Sequence, residues 1–290
     1  MTSALEAYVR EASGSVRDIM AGMLTFTERI TVLCFAASYA VAFGVELWHL
    51  FQPRPILRII ALVLGGAGLF AHISYLIVNS LIGSSLPLGS PTGSLFLLAL
   101  ILAVFYVGEA IHHAKVAWAM FVLPVVLALI GLGVASHDPQ DRVASWQSFW
   151  GIAHGTLLLL AAVGVSVGFI ASVMYLVQLH RLQEKLAPLE SLPNQERLLE
   201  MNHRAILWAF PLLTAGLLAG LALQANVGID WFSIRILSVV GLWVVFAVLL
   251  YLRYWVHVRS RQVALWTIFA FVILVLALVS PHSFGQGVGP

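Results

Sequence analysis

The feature that most constrains this chain is a succession of long apolar segments separated by short polar connections. A stretch of about 20 mainly apolar residues can cross the hydrocarbon core of a bilayer as an α-helix. The pattern therefore predicts an all-α fold, a polytopic membrane helix bundle with about eight transmembrane helices. The predicted spans are about 29–50, 56–82, 93–112, 116–135, 149–179, 205–225, 233–253 and 263–281.

The composition excludes a soluble fold. Charged residues make up 10% and hydrophobic residues 61% of the 290 positions, whereas an ordinary soluble domain is roughly 25% charged. So few charges could not cover the surface of a soluble protein. The sequence also lacks the GxGxxG, P-loop, HExxH and GxSxG patterns of common soluble enzymes. No basic cluster is large enough to indicate nucleic acid as a partner.

The first 28 residues differ from the rest of the chain. They contain Glu6, Arg10, Glu11, Arg17 and Asp18, and they do not read as a cleavable signal peptide, which has a basic start followed by an apolar core. Their apolar residues recur near a 3.6-residue period, so an amphipathic helix on the membrane surface and a loosely ordered leader are both open. Residues 29–290 are predicted to form a single transmembrane domain.

Lysine and arginine are concentrated in alternate connections, which predicts orientation because cytoplasmic loops carry an excess of these residues. We therefore predict a multi-pass protein of the cell inner (plasma) membrane with both termini extracytoplasmic. Below, the end of the bundle that bears the basic connections is called the basic end, and the opposite end the outer end. The polar connection 180–204 is interpreted as a solvated loop or as a surface that recruits a partner. The residues that define the basic end are Arg54, Arg58, Lys115, Arg181, Lys185, Arg197, Arg204, Arg253, Arg259 and Arg261.

Ten histidines stand out in a chain with so few other polar groups. Histidine is a common ligand of haem iron, and polar groups at membrane depth are candidates for function. His154 begins the fifth span and His282 follows the last one, so both are predicted at the outer end. Two such imidazoles could hold one iron, and Trp146 and Trp150 could flank a flat apolar ligand. Alternatively, the tryptophans are interfacial belt residues and the histidines surface groups.

Several segments resemble a known family in their order and spacing. FAHISYLI is followed by PLGSPTGSLFLLALILAVFYVGE with Tyr106 and Glu109, then by HGTLLLLAAVGVSVGFIASVMYLVQLHRLQEK. LPNQERLLEMNHRAILWAFPLLTAGLLAG and SPHSFG complete the series. Together they resemble the cytochrome c assembly protein family (CcsA/ResC-type), in particular its compact HemX/YpjD-like branch.

The resemblance implies a haem-binding membrane protein of cytochrome c assembly. It implies that His154 and His282 are the axial ligands of a non-covalent b-type haem, and that His72 matches the family's membrane-embedded histidine. The implied partners are haem and other membrane assembly proteins, with a soluble-domain subunit or apocytochrome c as further candidates. The family's tryptophan-rich outer-loop signature is altered here, where Asp230, Trp231 and Trp243 remain.

Other functions stay open at this point. The altered tryptophan region favours a haem-free scaffold subunit of an assembly complex. A transporter would require repeated halves with broken helices, which the sequence does not show. A redox enzyme would need histidine pairs near both membrane faces. The sequence favours haem handling over enzymatic catalysis, and it leaves the oligomeric state open. The histidines that a redox enzyme would use at the basic end are His112, His113, His203 and His257.

Overall fold

The protein is described by a computed structural model, in which eight helices account for nearly all of the residues described. The described residues are 32–52, 54–83, 88, 90–112, 118–136, 149–185, 192–224, 234–256 and 258–279. The N-terminal segment predicted over residues 1–28 lies outside them. No strand occurs within these ranges.

The helices are numbered in chain order. They are α1 (Val32–Phe51), α2 (Pro55–Gly83), α3 (Pro91–His112), α4 (Ala119–Ala135), α5 (Phe149–Gln183), α6 (Gln195–Gln224), α7 (Ile234–Tyr251) and α8 (Ser260–Val279). A short π-helical segment, Leu252–Val256, extends α7. All except α4 are long and apolar enough to cross a membrane. The predicted all-α membrane bundle is thereby confirmed.

Two details differ from the predicted spans. The helix α4 has 17 residues, which is at the lower limit for crossing a bilayer. The connection 180–204 is shorter than its polar composition suggested, because α5 continues to Gln183 and α6 begins at Gln195. Helices project past the apolar span here because polar side chains outside the membrane do not by themselves end a helix. Asn194 instead marks the start of α6, where its side-chain oxygen accepts a hydrogen bond from the N–H of Arg197 at 3.0 Å.

The antiparallel helices α5 and α6 form the closest pair in the bundle. A Cβ added at Gly164 would lie 3.0 Å from the Cβ of Ala209 and 3.2 Å from the carbonyl oxygen of Ala205. Small residues therefore line the contact and let the two backbones approach, as is common where membrane helices pack. Because residue 164 has no side chain, α5 and α6 can lie this close together.

The helices α7 and α8 pack against this pair. The Phe169 ring of α5 stacks on the Phe271 ring of α8, with centroids 4.2 Å apart. The indole N–H of Trp243 in α7 donates to the hydroxyl of Thr214 in α6 at 2.9 Å. Trp243, which the resemblance places in the altered tryptophan-rich signature, thus joins two helices in the middle of a span.

In a second group of helices, α1 and α3 pack against one face of α2. A Cβ at Gly65 would lie 2.8 Å from the Tyr106 ring of α3, and one at Gly68 would lie 3.0 Å from the Tyr39 ring of α1. Gly66 has nothing within 4 Å of the corresponding position. Only two of these three clustered glycines therefore act in helix packing.

Large apolar side chains cover the outside of the bundle. Five of them are at least 70% exposed: Phe51, Phe70, Phe149, Trp208 and Trp255. Exposed apolar surface of this kind is unfavourable in water and favourable in lipid. The outward-facing side chains therefore agree with a bundle that spans a membrane.

Candidate functional site

His154 lies in the second turn of α5, near the outer end of the bundle. Its Nδ1 is 2.7 Å from the carbonyl oxygen of Gly216 in α6. One turn further along α6, a Cβ added at Gly220 would lie 2.7 Å from Cε1 and 2.8 Å from Nδ1 of the same imidazole. The ring is therefore seated on α6 in a space that exists because residue 220 has no side chain.

The contact with Gly216 also selects a tautomer. A carbonyl oxygen can only accept, so Nδ1 carries the hydrogen and the neutral imidazole has its lone pair on Nε2. A histidine that ligates a metal through one nitrogen commonly donates its other N–H to a backbone carbonyl in this way. The arrangement of His154 therefore has the chemistry of an oriented iron ligand.

Aromatic side chains precede His154 on α5. Trp150 lies one turn earlier, on the same side of the helix, and its side chain is 49% exposed. The adjacent Phe149 is also exposed, and its ring meets the Trp150 indole edge to face at 5.5 Å. An exposed indole beside an oriented imidazole suits contact with a flat apolar molecule, and it equally suits an interfacial position.

The other two members of this predicted site, His282 and Trp146, lie outside the described residues. The described part does fix where the last helix ends. Tyr254 contacts His203 near the start of α6, so the chain is at the basic end shortly before α8 begins at Ser260. The helix α8 then runs to Val279 at the outer end, the same end as His154.

His72 is enclosed in an aromatic cluster formed by α1, α2 and α3. The ring is 0% exposed. Phe35 stacks on it with centroids 4.2 Å apart and planes 3° from parallel, while Tyr39 and Phe96 meet it edge to face at 6.1 and 6.2 Å. Neither ring nitrogen has a hydrogen-bond partner within the described ranges. In this arrangement the helices would have to separate before a porphyrin could reach His72.

A buried polar cluster that the sequence interpretation missed joins three helices. Nδ2 of Asn202 in α6 lies 3.2 Å from the carbonyl oxygen of Gly168 in α5 and 3.2 Å from the hydroxyl of Thr267 in α8. It also donates to the hydroxyl of Ser172. Asn202 occurs in the segment LPNQERLLEMNHRAILWAFPLLTAGLLAG quoted above. Its contacts could not be inferred because they depend on how α5 and α8 are placed.

The histidines that the structure describes at the basic end do not form a recognisable metal site. Nδ1 of His112 lies 2.8 Å from the carbonyl oxygen of Gly108 in its own helix, and His203 contacts Tyr254. His113 and His257 lie outside the described residues. Among the residues that are described, no group of three or more His, Cys, Asp or Glu side chains is arranged to hold a metal ion.

Comparison with known proteins identifies one similarity. The model of a family described as "Cytochrome C assembly protein" matches residues 88–288. These residues include His154 and His282, whereas α1, α2 and His72 precede them. No curated protein sequence and no solved structure matches the chain.

Proposed function

This chain belongs to the cytochrome c assembly protein family, and we propose from that membership that it holds a non-covalent b-type haem between His154 and His282. Membership in the family implies a role in cytochrome c biogenesis and haem handling. The finer proposal is that the outer end of the bundle retains haem and passes it to a partner. When bound, haem would supply the iron that accepts a lone pair from each imidazole.

The observation that carries the proposal is the fixed position of the His154 imidazole against α6. The hydrogen bond to Gly216 at 2.7 Å and the close contact over Gly220 hold the imidazole in one orientation. A side chain whose orientation is fixed before binding loses little conformational entropy when the ligand binds. The entropic cost of association is therefore smaller. Trp150 is the nearest exposed aromatic side chain on the same side of α5, and we assign it contact with the porphyrin face.

The number of residues between the end of α8 and His282 supports His282 as the second ligand. From the stacked pair Phe169 and Phe271, His154 is 15 residues along α5, or about 22 Å at the helical rise. Val279 is 8 residues along α8 from the same pair, or about 12 Å. Three further residues span at most about 10 Å. Together these two lengths equal the distance of about 22 Å along α5, so residue 282 can lie as far toward the outer end as His154.

The proposed partners are other membrane proteins of cytochrome c assembly, a soluble-domain subunit, or apocytochrome c. The compact HemX/YpjD-like branch fits the altered tryptophan region and is part of the proposal. The single cysteine, Cys34, cannot form a CxxCH attachment site, which favours non-covalent retention. Membership in the family and the positive-inside pattern both favour the cell inner membrane, with both termini extracytoplasmic.

Absorbance spectroscopy of the purified protein tests the proposal. We expect a Soret band with six-coordinate, bis-histidine character that is lost in His154→Ala and in the double variant with His282→Ala. His112→Ala is the matched control, because its imidazole also bonds a backbone carbonyl but lies at the basic end. Added imidazole should restore the band in His154→Ala. A band that persists in the double variant would contradict the assignment of ligands.

A haem-free scaffold is the second candidate, and Trp243 favours it. Its indole is used in packing α7 on α6 and stacks on Phe210 with centroids 5.6 Å apart, so this tryptophan is not available to an outer surface. A scaffold would give a colourless preparation that copurifies with the same assembly proteins whether or not His154 is present.

A further inference from the structure

One face of α2 leads from the charged basic end of the bundle to the buried His72. The face consists of residues spaced three or four apart, which lie in line along a helix. At its basic end, Nη2 of Arg58 donates to the carbonyl oxygen of Ala110 in α3 at 2.6 Å. Glu46 of α1 lies close to Arg58 and to His49. The line along α2 runs through Arg58, Ala61, Gly65, Gly68 and His72.

Two tyrosine rings occupy the space that the glycines leave. Tyr106 of α3 lies over Gly65, and Tyr39 of α1 lies over Gly68. Because these glycines are three residues apart, the two rings occupy neighbouring positions about one turn apart on α2. Tyr106 also lies close to Glu46 and Arg58. From the basic end, the path therefore passes the charged groups, then Tyr106, then Tyr39, and ends at His72.

Four buried polar atoms along this face have no hydrogen-bond partner among the described residues. The hydroxyl oxygens of Tyr39 and Tyr106 and both ring nitrogens of His72 are buried, and none has a hydrogen bond from the part of the chain that the structure describes. Buried polar groups are nearly always satisfied by protein or by ordered water. Water between the tyrosines and the histidine would satisfy all four atoms at once.

The two sides of His72 differ in chemistry. Toward the outer end, the neighbouring residues are the buried Leu76 and the rings of Phe35 and Phe96. Tyr75, a titratable group on that side, packs against both phenylalanine rings with centroids 5.7 Å apart. Toward the basic end are the two unsatisfied hydroxyls. Hydroxyls and water can each accept and donate a proton, whereas the phenylalanine rings cannot.

We propose that His72 is a proton-accepting site inside the membrane that is loaded from the basic end through Tyr106, Tyr39 and bridging water. A hydronium ion at the charged end gives one proton to the chain of hydroxyls and water, and the neutral imidazole of His72 accepts one. No electron is transferred, and the imidazolium is stabilised over the face of Phe35. Such relays of ionisable groups are a recurrent use of polar residues at membrane depth.

The charged and titratable groups that face this path come from three helices. They are Tyr39, Glu46 and His49 of α1, Arg58, His72 and Tyr75 of α2, and Tyr106 and Glu109 of α3. The inference does not depend on haem binding, because the path runs through α1, α2 and α3, whereas His154 lies in α5.

Nuclear magnetic resonance of histidine-labelled protein in lipid nanodiscs tests the path. The His72 ring signal is assigned by its loss in His72→Gln. We expect this ring to titrate, and its N–H to exchange with solvent at least tenfold more slowly in Tyr106→Phe and in Tyr39→Phe. These variants keep the ring that fills the glycine space and remove only the hydroxyl. Tyr175→Phe, at a buried tyrosine of α5, is the matched control and should leave exchange unchanged.

Two outcomes would overturn the inference. One is a His72 ring that stays in a single protonation state over the whole range in which histidines titrate. The other is exchange that is equally fast in the wild type and in both tyrosine variants. In uniformly oriented proteoliposomes with different buffers on the two sides, the His72 signal should follow the pH at the basic end. A signal that follows the outer pH would also refute the path.

Discussion

His154 and His72 are held in two regions of the bundle that use glycine for different purposes. In the α5–α6 pair, Gly220 receives the imidazole of His154 itself, and Gly216 supplies the carbonyl that orients it. In the α1–α3 group, the glycines of α2 receive tyrosine rings, while His72 is enclosed by phenylalanine and tyrosine. His154 is fixed by a hydrogen bond at the outer end, whereas His72 is surrounded by rings and has no hydrogen bond to any residue that the structure describes.

The difference separates two kinds of chemistry. A hydrogen-bonded imidazole near the helix end has a defined lone pair that can meet a ligand from outside. An enclosed imidazole can be reached by a proton or a water molecule far more readily than by a large cofactor. We therefore propose haem binding at His154 and proton uptake at His72, and the following predictions test that division.

The largest expected effect is on the packing around His72. A Cβ at Gly133 of α4 would lie 2.5 Å from Cε1 of Phe96, which packs against His72. Gly133→Ala should therefore lower the free energy of unfolding by about 1–3 kcal/mol, the usual cost of overpacking a core. The measurement is unfolding by SDS in mixed micelles. Gly131→Ala is the control, since nothing lies within 4 Å of its Cβ position; equal stabilities of the two variants would contradict the tight enclosure.

The next largest effect is on haem affinity, when the space that Gly220 leaves for the His154 imidazole is filled. Gly220→Ala places a Cβ where the imidazole now lies, so it should reduce haem affinity at least tenfold, or about 1.4 kcal/mol. The measurement is haem titration followed by absorbance. Gly241→Ala in α7, whose Cβ position is open, should bind haem like the wild type. If Gly220→Ala retains full haem affinity, the contact of His154 with α6 does not position this imidazole for the iron.

A smaller effect should follow from removing the polar cluster of α5, α6 and α8. Asn202→Leu loses contacts to Gly168, Ser172 and Thr267. We expect a loss of about 1 kcal/mol in the free energy of unfolding, because hydrogen bonds between membrane helices average about 0.6 kcal/mol each. Ser166→Ala is the control, because that buried hydroxyl donates to Ala162 of its own helix. A more stable Asn202→Leu protein would show that the cluster serves something other than stability.

The smallest expected effect concerns Trp243. Thr214→Val removes the acceptor of its indole N–H and should cost about 0.6 kcal/mol of unfolding free energy, with no change in haem affinity. Ser74→Ala, which removes a hydroxyl that bonds Phe70 within α2, provides the baseline. A loss of haem without a loss of stability would instead place Trp243 in the binding site and remove the argument for a scaffold.

Much of the fold could be predicted because lipid imposes strong constraints on a chain. Backbone groups in hydrocarbon must be satisfied within the segment, so long apolar runs predict helices. The connection 180–204 was interpreted as a loop because its residues are polar, but much of it continues α5 and α6. Polarity indicates where the membrane ends, and helices can extend beyond that point.

The candidate site could be predicted only in part. Histidines are conspicuous in an apolar sequence, and the outer-end position of His154 follows from counting spans. The contact with Gly216 joins positions 62 residues apart, and the cluster around Asn202 depends on three helices at once. No local pattern predicts such contacts, because the rotation of each helix about its axis is set by side-chain packing against its neighbours.

The sequence by itself determined that the chain is a membrane helix bundle, where its spans lie, and which family it resembles, because these depend on hydrophobicity along the chain and on the order of motifs. Only the tertiary structure decided that Gly220 seats His154 while rings enclose His72. Both histidines lie in apolar helices of similar composition. Their environments differ because helix packing brings a backbone carbonyl to one imidazole and aromatic rings to the other.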